Sequence, residues 1–204
     1  MKSDIMSISR LRMGTDGEGT TTLVGFYGCT LNCRYCINNQ CHSDCVRASY
    51  STEELVSVLS KDEPYYLMTG GGVTFGGGEP LLQAEFIHEV CSLIENKWNK
   101  TIETSLNVPW ENVEVLLDDI DYWFIDIKDF RTEVYKAYTG QENDIVISNL
   151  KRLIENIDPH KICVRIPYIP KFNTKEDTLE ELTYLRENIS AVVSVEIFDY
   201  IRCL

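Results

Sequence analysis

A loop with three closely spaced cysteines constrains this chain more than any other feature of the sequence. Residues 28–36 read GCTLNCRYC and place Cys29, Cys33 and Cys36 at C-x3-C-x2-C spacing, directly after an apolar run at 22–27. That order predicts a strand followed by a short loop that carries three thiolates. Three soft ligands in one loop suit an iron-sulfur cluster, and in a four-iron cluster they leave one iron free for an exogenous molecule.

A zinc site or simple core packing would account less well for these cysteines. A structural zinc site needs a fourth Cys or His, usually as two C-x2-C pairs, and the sequence contains a single C-x2-C. Three unrelated core cysteines are disfavoured because packing alone rarely produces such tight spacing. Further along, Cys41, His42 and Cys45 could help to bind a second metal, but the preferred interpretation is that they are ordinary loop residues.

Length and composition indicate a single intracellular domain. The chain has 204 residues and 44% hydrophobic content, enough for one sizeable core. It has no run of about 18 apolar residues and no apolar signal region, so a cytoplasmic, membrane-free protein with reduced cysteines is expected. The net charge of -13 argues against nucleic acid as a partner, because phosphate backbones bind positive surfaces.

Six apolar segments that alternate with helical patterns predict an α/β fold. Alternation of this kind favours a parallel sheet covered by helices. Residues 1–204 are expected to form one domain, with 1–19 as an N-terminal extension ending in a turn and 28–50 as the cluster loop. The predicted strands are 20–27, 73–75, 101–106, 122–127, 162–169 and 192–198. One predicted helix begins at 51, and four others span about 81–98, 110–120, 144–157 and 175–189.

Residues that can carry chemistry fall where the predicted strands end. In parallel α/β folds the carboxyl ends of the strands meet at one edge and carry the site. The candidates at or near these ends are the three cysteines, Gly76–Glu79, Glu103, Thr104, Asp126, Lys128, Arg165 and Tyr200. Their convergence on one edge predicts a single functional site.

These motifs resemble a known family. The cysteine motif, with Tyr35 before its last cysteine, resembles the cluster motif of the radical S-adenosylmethionine (SAM) superfamily. Residues 70–83, GGGVTFGGGEPLLQ, are similar to the glycine-rich segment of the activating enzymes of glycyl radical enzymes, the pyruvate formate-lyase activating enzyme-like family. The resemblance covers about residues 20–199, and it implies the superfamily's incomplete barrel of six βα units, a partial (β/α)6 barrel.

The resemblance also implies how SAM would bind. Gly76, Gly77, Gly78 and Glu79 would hold the amino and carboxylate groups that chelate the open iron, in a segment where small residues let a ligand approach the backbone. A plain strand-to-helix turn before Pro80 is the alternative for this segment. Further SAM contacts are expected from a set that matches family positions: Tyr35, Asn38, Glu103, Thr104, Asp126, Lys128 and Arg165.

Some of these residues have additional implied roles. The acidic residues with Thr104 can also hold a monovalent cation near the SAM carboxylate. Arg165 interrupts an apolar strand, so it requires an acidic partner or a bound carboxylate. Surface salt bridging is the alternative for these charges.

The sequence departs from the family pattern in three places. Tyr200 is followed by Ile201 where the family often has histidine, and Ser105 stands where it commonly has glycine. The sequence ends at Leu204, where the activating enzymes usually continue through another helix, and a wider barrel mouth is the expectation that follows. His88, His160, Cys91 and Cys163 are expected to be structural, and Cys203 has no assigned role.

The function implied by the resemblance is radical chemistry. A reduced 4Fe-4S cluster would cleave SAM to methionine and a 5′-deoxyadenosyl radical, which abstracts hydrogen from a glycine of a partner glycyl radical enzyme. Flavodoxin or ferredoxin is the kind of electron donor expected. Radical modification of a small molecule or short peptide is the alternative, and an electron carrier without catalysis is a third hypothesis, which would leave the glycine segment and Asp126-x-Lys128 without purpose.

Overall fold

Eight strands form one sheet in the computed structural model, which describes residues 1–43, 47–94 and 97–200. The strands are β1 (Lys2–Met13), β2 (Thr20–Phe26), β3 (Ala48–Ser51), β4 (Gly72–Gly77), β5 (Asn99–Thr104), β6 (Tyr122–Asp126), β7 (Ile162–Tyr168) and β8 (Ser194–Asp199). Their order across the sheet is β3-β1-β2-β4-β5-β6-β7-β8.

The parallel part of the sheet confirms the predicted fold class. β2 and β4 to β8 pair in parallel with neighbours that follow one another along the chain, and each pair is connected through helical segments. All six predicted strands are present. This arrangement agrees with the partial (β/α)6 barrel that the resemblance implies, and it brings the carboxyl ends of six strands to one edge.

The first residues of the chain are part of this sheet. β1 pairs antiparallel with β2 on one side and with β3 on the other, for example through Ile5 opposite Phe26. The sequence analysis described 1–19 only as an N-terminal extension ending in a turn and did not predict this strand. The strand was missed because polar and apolar residues alternate irregularly in KSDIMSISRLRM, and its pairing interrupts the register twice.

A buried carboxylate ties β1 to the elements beside it. Asp62, fully buried, accepts hydrogen bonds from Arg10 Nε at 2.8 Å and from the Thr22 hydroxyl at 3.1 Å. The Tyr66 hydroxyl donates in turn to Thr22 Oγ1 at 2.6 Å. This network links β1, β2 and the helix that follows Asp62, and no local sequence pattern predicts it.

Seven α-helices cover the sheet within the described residues. Five correspond to predicted helices, and α2 and α5 were not predicted. Their bounds are α1 (Thr52–Leu59), α2 (Glu63–Thr69), α3 (Ala84–Ile94), α4 (Trp110–Glu114), α5 (Thr132–Thr139), α6 (Asp144–Asn156) and α7 (Lys175–Asn188). The predicted helix at 81–98 is shorter because Pro80–Gln83 form a 3₁₀ turn, and the one at 110–120 continues only as turns beyond Glu114.

The core lies between the parallel strands and the helices. Trp123 on β6 is fully buried, and Phe26 contacts both Phe75 and Phe86 with ring centroids 6.2 Å apart. Burying such side chains contributes about 1.5–3 kcal/mol each. The core thereby fixes the strands whose ends build the site. No described helix is both long and apolar enough to span a lipid bilayer.

Candidate active site

A cleft of about 560 Å³ opens at the carboxyl ends of the parallel strands. It contains most of the residues that the sequence analysis singled out. Of these, Cys29, Cys33, Cys36, Asn38, Gly77, Gly78, Glu79, Glu103, Thr104, Asp126, Lys128 and Arg165 line its wall, together with Tyr200. The predicted convergence of these residues is therefore confirmed by their positions.

Backbone hydrogen bonds hold the cysteine loop over the strand ends. Asn32 N–H donates to the Thr139 carbonyl and Arg34 N–H to the Tyr138 carbonyl, each at 3.0 Å, so the end of α5 anchors the loop. The Cys36 N–H donates to the Cys33 carbonyl at 3.2 Å, which closes a turn between these two cysteines.

The cysteine thiols sit in a desolvated environment. Burial raises the pKa of Cys29 to about 12 and also raises that of Cys33, where nearby Lys128 acts in the opposite direction. Binding of a positively charged metal centre would offset this effect, because it stabilises the thiolates directly and releases their protons to solvent.

Three thiols at one cleft wall provide the ligand set of a four-iron cluster. Among the described residues, no three His, Cys, Asp or Glu side chains are placed to bind one metal ion. In a four-iron cluster each cysteine binds a different iron, so the sulfurs stand farther apart than the ligands of one ion do. His42 is exposed and Cys45 lies outside the described residues, so the interpretation of Cys41, His42 and Cys45 as loop residues stays a prediction.

The glycine segment has a packing reason that the sequence analysis did not foresee. A Cβ on Gly78 would lie 2.0 Å from the Gly28 carbonyl oxygen, and one on Gly77, where φ is +98°, would lie 2.6 Å from Gly25 Cα. Both glycines are therefore required by the close approach of β2 and the cysteine loop. The expectation that a ligand alone needs this space was incomplete, and Gly76 lies outside the cleft wall.

Glu79 fixes the glycine segment to the end of β5. Only 1% exposed, its carboxylate accepts from Leu81 N–H at 3.2 Å, from the Thr104 hydroxyl at 2.6 Å, and from both the N–H and hydroxyl of Ser105. Burial raises the pKa of Glu79, although the hydrogen bonds from Ser105 and Thr104 act in the opposite direction. Its side chain is occupied by protein donors and stabilises the cleft wall.

Two neighbouring ion pairs line the cleft, and Asp126 of one lies opposite Arg165 of the other in the register of β6 and β7. Lys128 Nζ lies 3.1 Å from Asp126 Oδ2, and Arg165 lies 2.7 Å from Glu103 Oε1 while its guanidinium stacks 3.7 Å over the Phe124 ring. Burial opposes the charge on Lys128, but Asp126 and Cys33 outweigh it and raise its pKa. The predicted acidic partner of Arg165 is therefore Glu103, with Glu196 second at 3.2 Å.

Asp126 has spare hydrogen-bonding capacity. Its Oδ1 is buried and has no hydrogen-bond partner among the described residues. A buried carboxylate oxygen without a partner indicates a role beyond packing, such as contact with a ligand or ion that is bound during function.

Residues before β2 form part of the cleft, which sequence reasoning missed. Arg12, Thr15 and Asp16 line it, and Asp16 is 4% exposed and paired with Arg12. The Thr74 hydroxyl donates to the Asp16 carbonyl at 2.5 Å, and Arg165 donates to the Thr15 carbonyl at 3.2 Å. The only local signal was the glycine-rich run at 14–19, which predicted a turn but not its inward course.

Of the remaining two predicted contacts, Tyr35 is placed differently and Asn38 lies where it was expected. Tyr35 does not line the cleft; its ring packs against Tyr138, Phe172 and Tyr200, so it supports the cysteine loop from behind. Asn38 lines the cleft, and its side-chain amide donates to the Gly77 carbonyl at 2.8 Å. Ile201 and Cys203 lie outside the described residues.

Comparisons with known proteins show the family of this chain. The family model described as "Radical SAM superfamily" matches residues 23–182. The pyruvate formate-lyase-activating enzyme of Clostridium pasteurianum is 33% identical over 185 residues, 91% of this chain and 77% of that protein. The 4-hydroxyphenylacetate decarboxylase activating enzyme of Clostridioides difficile (strain 630) is 34% identical over 165 residues, 76% of this chain and 52% of that protein.

Solved structures show the same fold. Streptococcus suis SuiB, in a structure bound to S-adenosylmethionine, aligns with a TM-score of 0.66 over 86% of this chain and 39% of that one. The sequence identity is 19%, so this likeness concerns the fold alone.

The chain belongs to the radical SAM superfamily. Within that superfamily it groups with the activating enzymes of glycyl radical enzymes, as its relatives at 33% and 34% identity show. The predicted family and the radical SAM enzyme class are thereby confirmed, and the family implies a 4Fe-4S cluster and SAM as cofactors. The chain spans 77% of the first of these relatives and about half of the second.

Proposed function

We propose that this cleft binds a 4Fe-4S cluster through Cys29, Cys33 and Cys36 and SAM beside it, and that the enzyme activates a glycyl radical enzyme. The observation that carries the proposal is that three thiols, the glycine segment and two ion pairs line one cleft at the carboxyl ends of the strands. When bound and reduced, the cluster supplies the electron that cleaves SAM to methionine and a 5′-deoxyadenosyl radical.

The chain's own residues bind and orient SAM. Gly77 and Gly78 present backbone at the cleft wall, where the amino group of SAM can donate to a carbonyl, since the Gly78 N–H already donates to the Phe26 carbonyl at 3.0 Å. Lys128 is 16% exposed on its side chain and fully charged beside Asp126, so it can attract the SAM carboxylate. Glu79 acts indirectly by holding the glycine segment in place.

A monovalent cation is proposed near Asp126. Its unpartnered Oδ1 and the carboxylate of Glu103 supply negative charge on the same side of the cleft. The Thr104 hydroxyl already donates to Glu79, so Thr104 supports this corner through that bond. A cation there would offset the repulsion between the two acidic side chains and a SAM carboxylate.

The partner we propose is a glycyl radical enzyme whose glycine loop enters the cleft. The electron donor would be a flavodoxin or a ferredoxin, and we place the enzyme in the cytoplasm as one radical SAM domain over residues 1–204. The relatives are named for the activation of pyruvate formate-lyase and 4-hydroxyphenylacetate decarboxylase, which makes such enzymes the first partners to test.

The test is formation of a protein radical in a partner. The reconstituted enzyme, SAM and dithionite are mixed anaerobically with pyruvate formate-lyase, and in parallel with 4-hydroxyphenylacetate decarboxylase. We expect the doublet electron paramagnetic resonance (EPR) signal of a glycyl radical in at least one mixture and none with a Cys36→Ala enzyme. Stimulation of deoxyadenosine formation only by a small metabolite or free short peptide, with no protein radical, would favour the alternative substrate class instead.

A further inference from the structure

Glu181 on α7 is a buried acidic residue that the proposed function does not use. It is 3% exposed, and no hydrogen-bond donor among the described residues reaches either of its carboxylate oxygens. An ionised carboxylate in such a place would be an unpaired buried charge, which is costly unless it is neutralised. Packing alone therefore does not explain why an acid stands at this position.

The contacts on either side of Glu181 place it against the loop that follows β6. One turn earlier on α7, Asp177 Oδ1 accepts a hydrogen bond from Arg131 Nη1 at 2.5 Å. Three residues later, the ring centroid of Tyr184 lies 5.1 Å from that of Phe130. Residues three and four apart share one face of a helix, so Glu181 lies between these two contacts and faces the same loop.

This loop already holds as much negative charge as its one guanidinium serves. Asp129, 1% exposed, accepts from the Arg131 N–H at 2.9 Å, from Nε at 3.0 Å and from Nη2 at 2.9 Å. Since Arg131 also binds Asp177, an ionised Glu181 would be a third carboxylate beside one cation. Burial raises the pKa of Glu181 to about 9; Asp129 and Asp177 act in the same direction, and Arg131 acts in the opposite one.

The strand on which α7 packs, β7, turns its charge away from Glu181. Side chains alternate between the two faces of a strand, and Arg165 lines the cleft. Val164 and Ile166, on either side of it, therefore face the helices, and both are fully buried. The surroundings of Glu181 on this side are apolar and favour its uncharged form.

We propose that Glu181 keeps its proton at neutral pH and that this proton joins α7 to the loop which carries Lys128 into the cleft. A protonated carboxyl group can donate to a carboxylate, and the three hydrogen bonds from Arg131 leave acceptor capacity on Asp129. Lys128 directly precedes Asp129 and lines the cleft. Glu181 is thus a positioning residue for the SAM contact of Lys128, and in that respect the inference rests on the proposed function.

The proposal gives a pH dependence with a definite sign. A carboxyl group whose pKa is raised by folding stabilises the folded protein below its ordinary pKa of about 4.3, and this contribution is lost as the pH rises through the raised value. Once Glu181 is ionised, its charge repels Asp129 and Asp177 and loosens the contact between α7 and the loop. Glu181→Gln is uncharged at every pH and keeps a donor, so it should lack this dependence.

The experiment compares wild type, Glu181→Gln and a control, Glu180→Gln, which removes the same charge at the exposed neighbouring position. Each protein is reconstituted anaerobically, and carbon-13 NMR spectra of its glutamate carboxyl groups are recorded between pH 5 and 10. The resonance that is absent from Glu181→Gln alone reports on Glu181. Conversion of SAM to 5′-deoxyadenosine with dithionite is measured in parallel at pH 7 and pH 9.5.

We expect the Glu181 resonance to titrate far above those of the exposed glutamates. At pH 9.5 about three quarters of a group with a pKa of about 9 is ionised. Between pH 7 and 9.5, SAM cleavage should therefore fall about fourfold more in wild type and Glu180→Gln than in Glu181→Gln.

Three results would overturn the inference. Titration of Glu181 together with the exposed glutamates would show that it does not keep its proton. Failure of Glu181→Gln to fold would show that an uncharged side chain does not satisfy the site. A raised titration with the same pH dependence of SAM cleavage in all three proteins would refute the positioning of Lys128. By contrast, absence of SAM cleavage in wild type at both pH values would overturn the proposed function, and the NMR titration would still decide whether Glu181 keeps its proton.

Discussion

Glu79 and Ser105 are joined by two hydrogen bonds to the same carboxylate oxygen. Glu79 Oε2 accepts from the Ser105 hydroxyl at 2.6 Å and from its backbone N–H at 3.0 Å, while Oε1 serves Thr104 and Leu81. The bonds connect the glycine segment after β4 to the end of β5, so two walls of the cleft share one buried carboxylate.

Replacing this carboxylate should cost stability. In Glu79→Gln the new side-chain NH2 group is itself a donor and faces the donors that now bind the carboxylate. The backbone N–H of Ser105 cannot act as an acceptor, so it would lose its partner. A buried donor left unsatisfied costs about 1–3 kcal/mol, so the free energy of unfolding should fall by that amount in urea denaturation. Glu85→Gln, at an exposed position on α3, is the control and should change stability by less than about 0.5 kcal/mol. Equal stability of the two variants would show that the Glu79 bonds do not matter.

The glycine segment should tolerate an added methyl group at Gly76 but be destabilised by one at Gly78. In Gly78→Ala the new Cβ meets the Gly28 carbonyl oxygen at 2.0 Å, so the cysteine loop must move. In Gly76→Ala the nearest atoms are the ends of the Leu23 and Glu103 side chains at 3.2 and 3.3 Å, which can adjust. We expect Gly78→Ala to lose about 1–3 kcal/mol or more and much of its iron, as measured by chemical denaturation and iron analysis after reconstitution.

Gly76→Ala is the matched comparison and should keep its fold and iron. Comparable iron loading in both variants would contradict the claim that Gly78 is dictated by the approach of the cysteine loop.

Acid should weaken the network around Asp62. The hydrogen bonds from Arg10 are the main reason why the pKa of Asp62 is lowered, against the effect of burial. A carboxyl group whose pKa is lower in the folded state stabilises the fold at pH values above its unfolded-state pKa of about 3.9. This contribution is lost as the pH falls through the folded-state pKa. Asp62→Asn should therefore lower stability at pH 7 by about 1–3 kcal/mol and by less near pH 3.

The measurement is urea unfolding of wild type and Asp62→Asn between pH 3 and 7. It uses the pH values at which both proteins are folded in the absence of urea. The exposed Asp118→Asn should match wild type at each pH. A stability difference between wild type and Asp62→Asn that does not shrink on acidification would refute the role assigned to the charged form.

The parallel core of this fold could be predicted because its signals are local. Strands such as Tyr122–Asp126 and Ile162–Tyr168 are short apolar runs between helical patterns, and buried parallel strands have that composition. The candidate site residues followed from the same reasoning, since Asp126 ends β6, and Lys128 and the cysteines stand shortly after strands.

Features that depend on distant pairing could not be predicted. β1 becomes a strand through partners on both sides, although its residues show no regular alternation. The inward course of Thr15 and Asp16 is fixed by Arg165 and Thr74, which are far away in sequence. Cys41 reaches the cleft through a turn of four residues, which leaves no periodic pattern.

The role of the glycines illustrates a further limit of the sequence. A glycine-rich segment indicates close approach of something, but not whether a ligand or another backbone approaches. At Gly77 and Gly78 the neighbours are backbone atoms of Gly25 and Gly28, and only the three-dimensional arrangement reveals this.

The measurement that tests the central claim most directly is cleavage of SAM by the reconstituted protein. With dithionite and no partner, the wild-type enzyme should carry about four irons and slowly convert SAM to 5′-deoxyadenosine, while Cys36→Ala should do neither. Product is quantified by chromatography beside iron analysis of the same sample. A wild-type protein that carries its cluster and leaves SAM intact after prolonged reduction would contradict the assignment of this cleft as a radical SAM site.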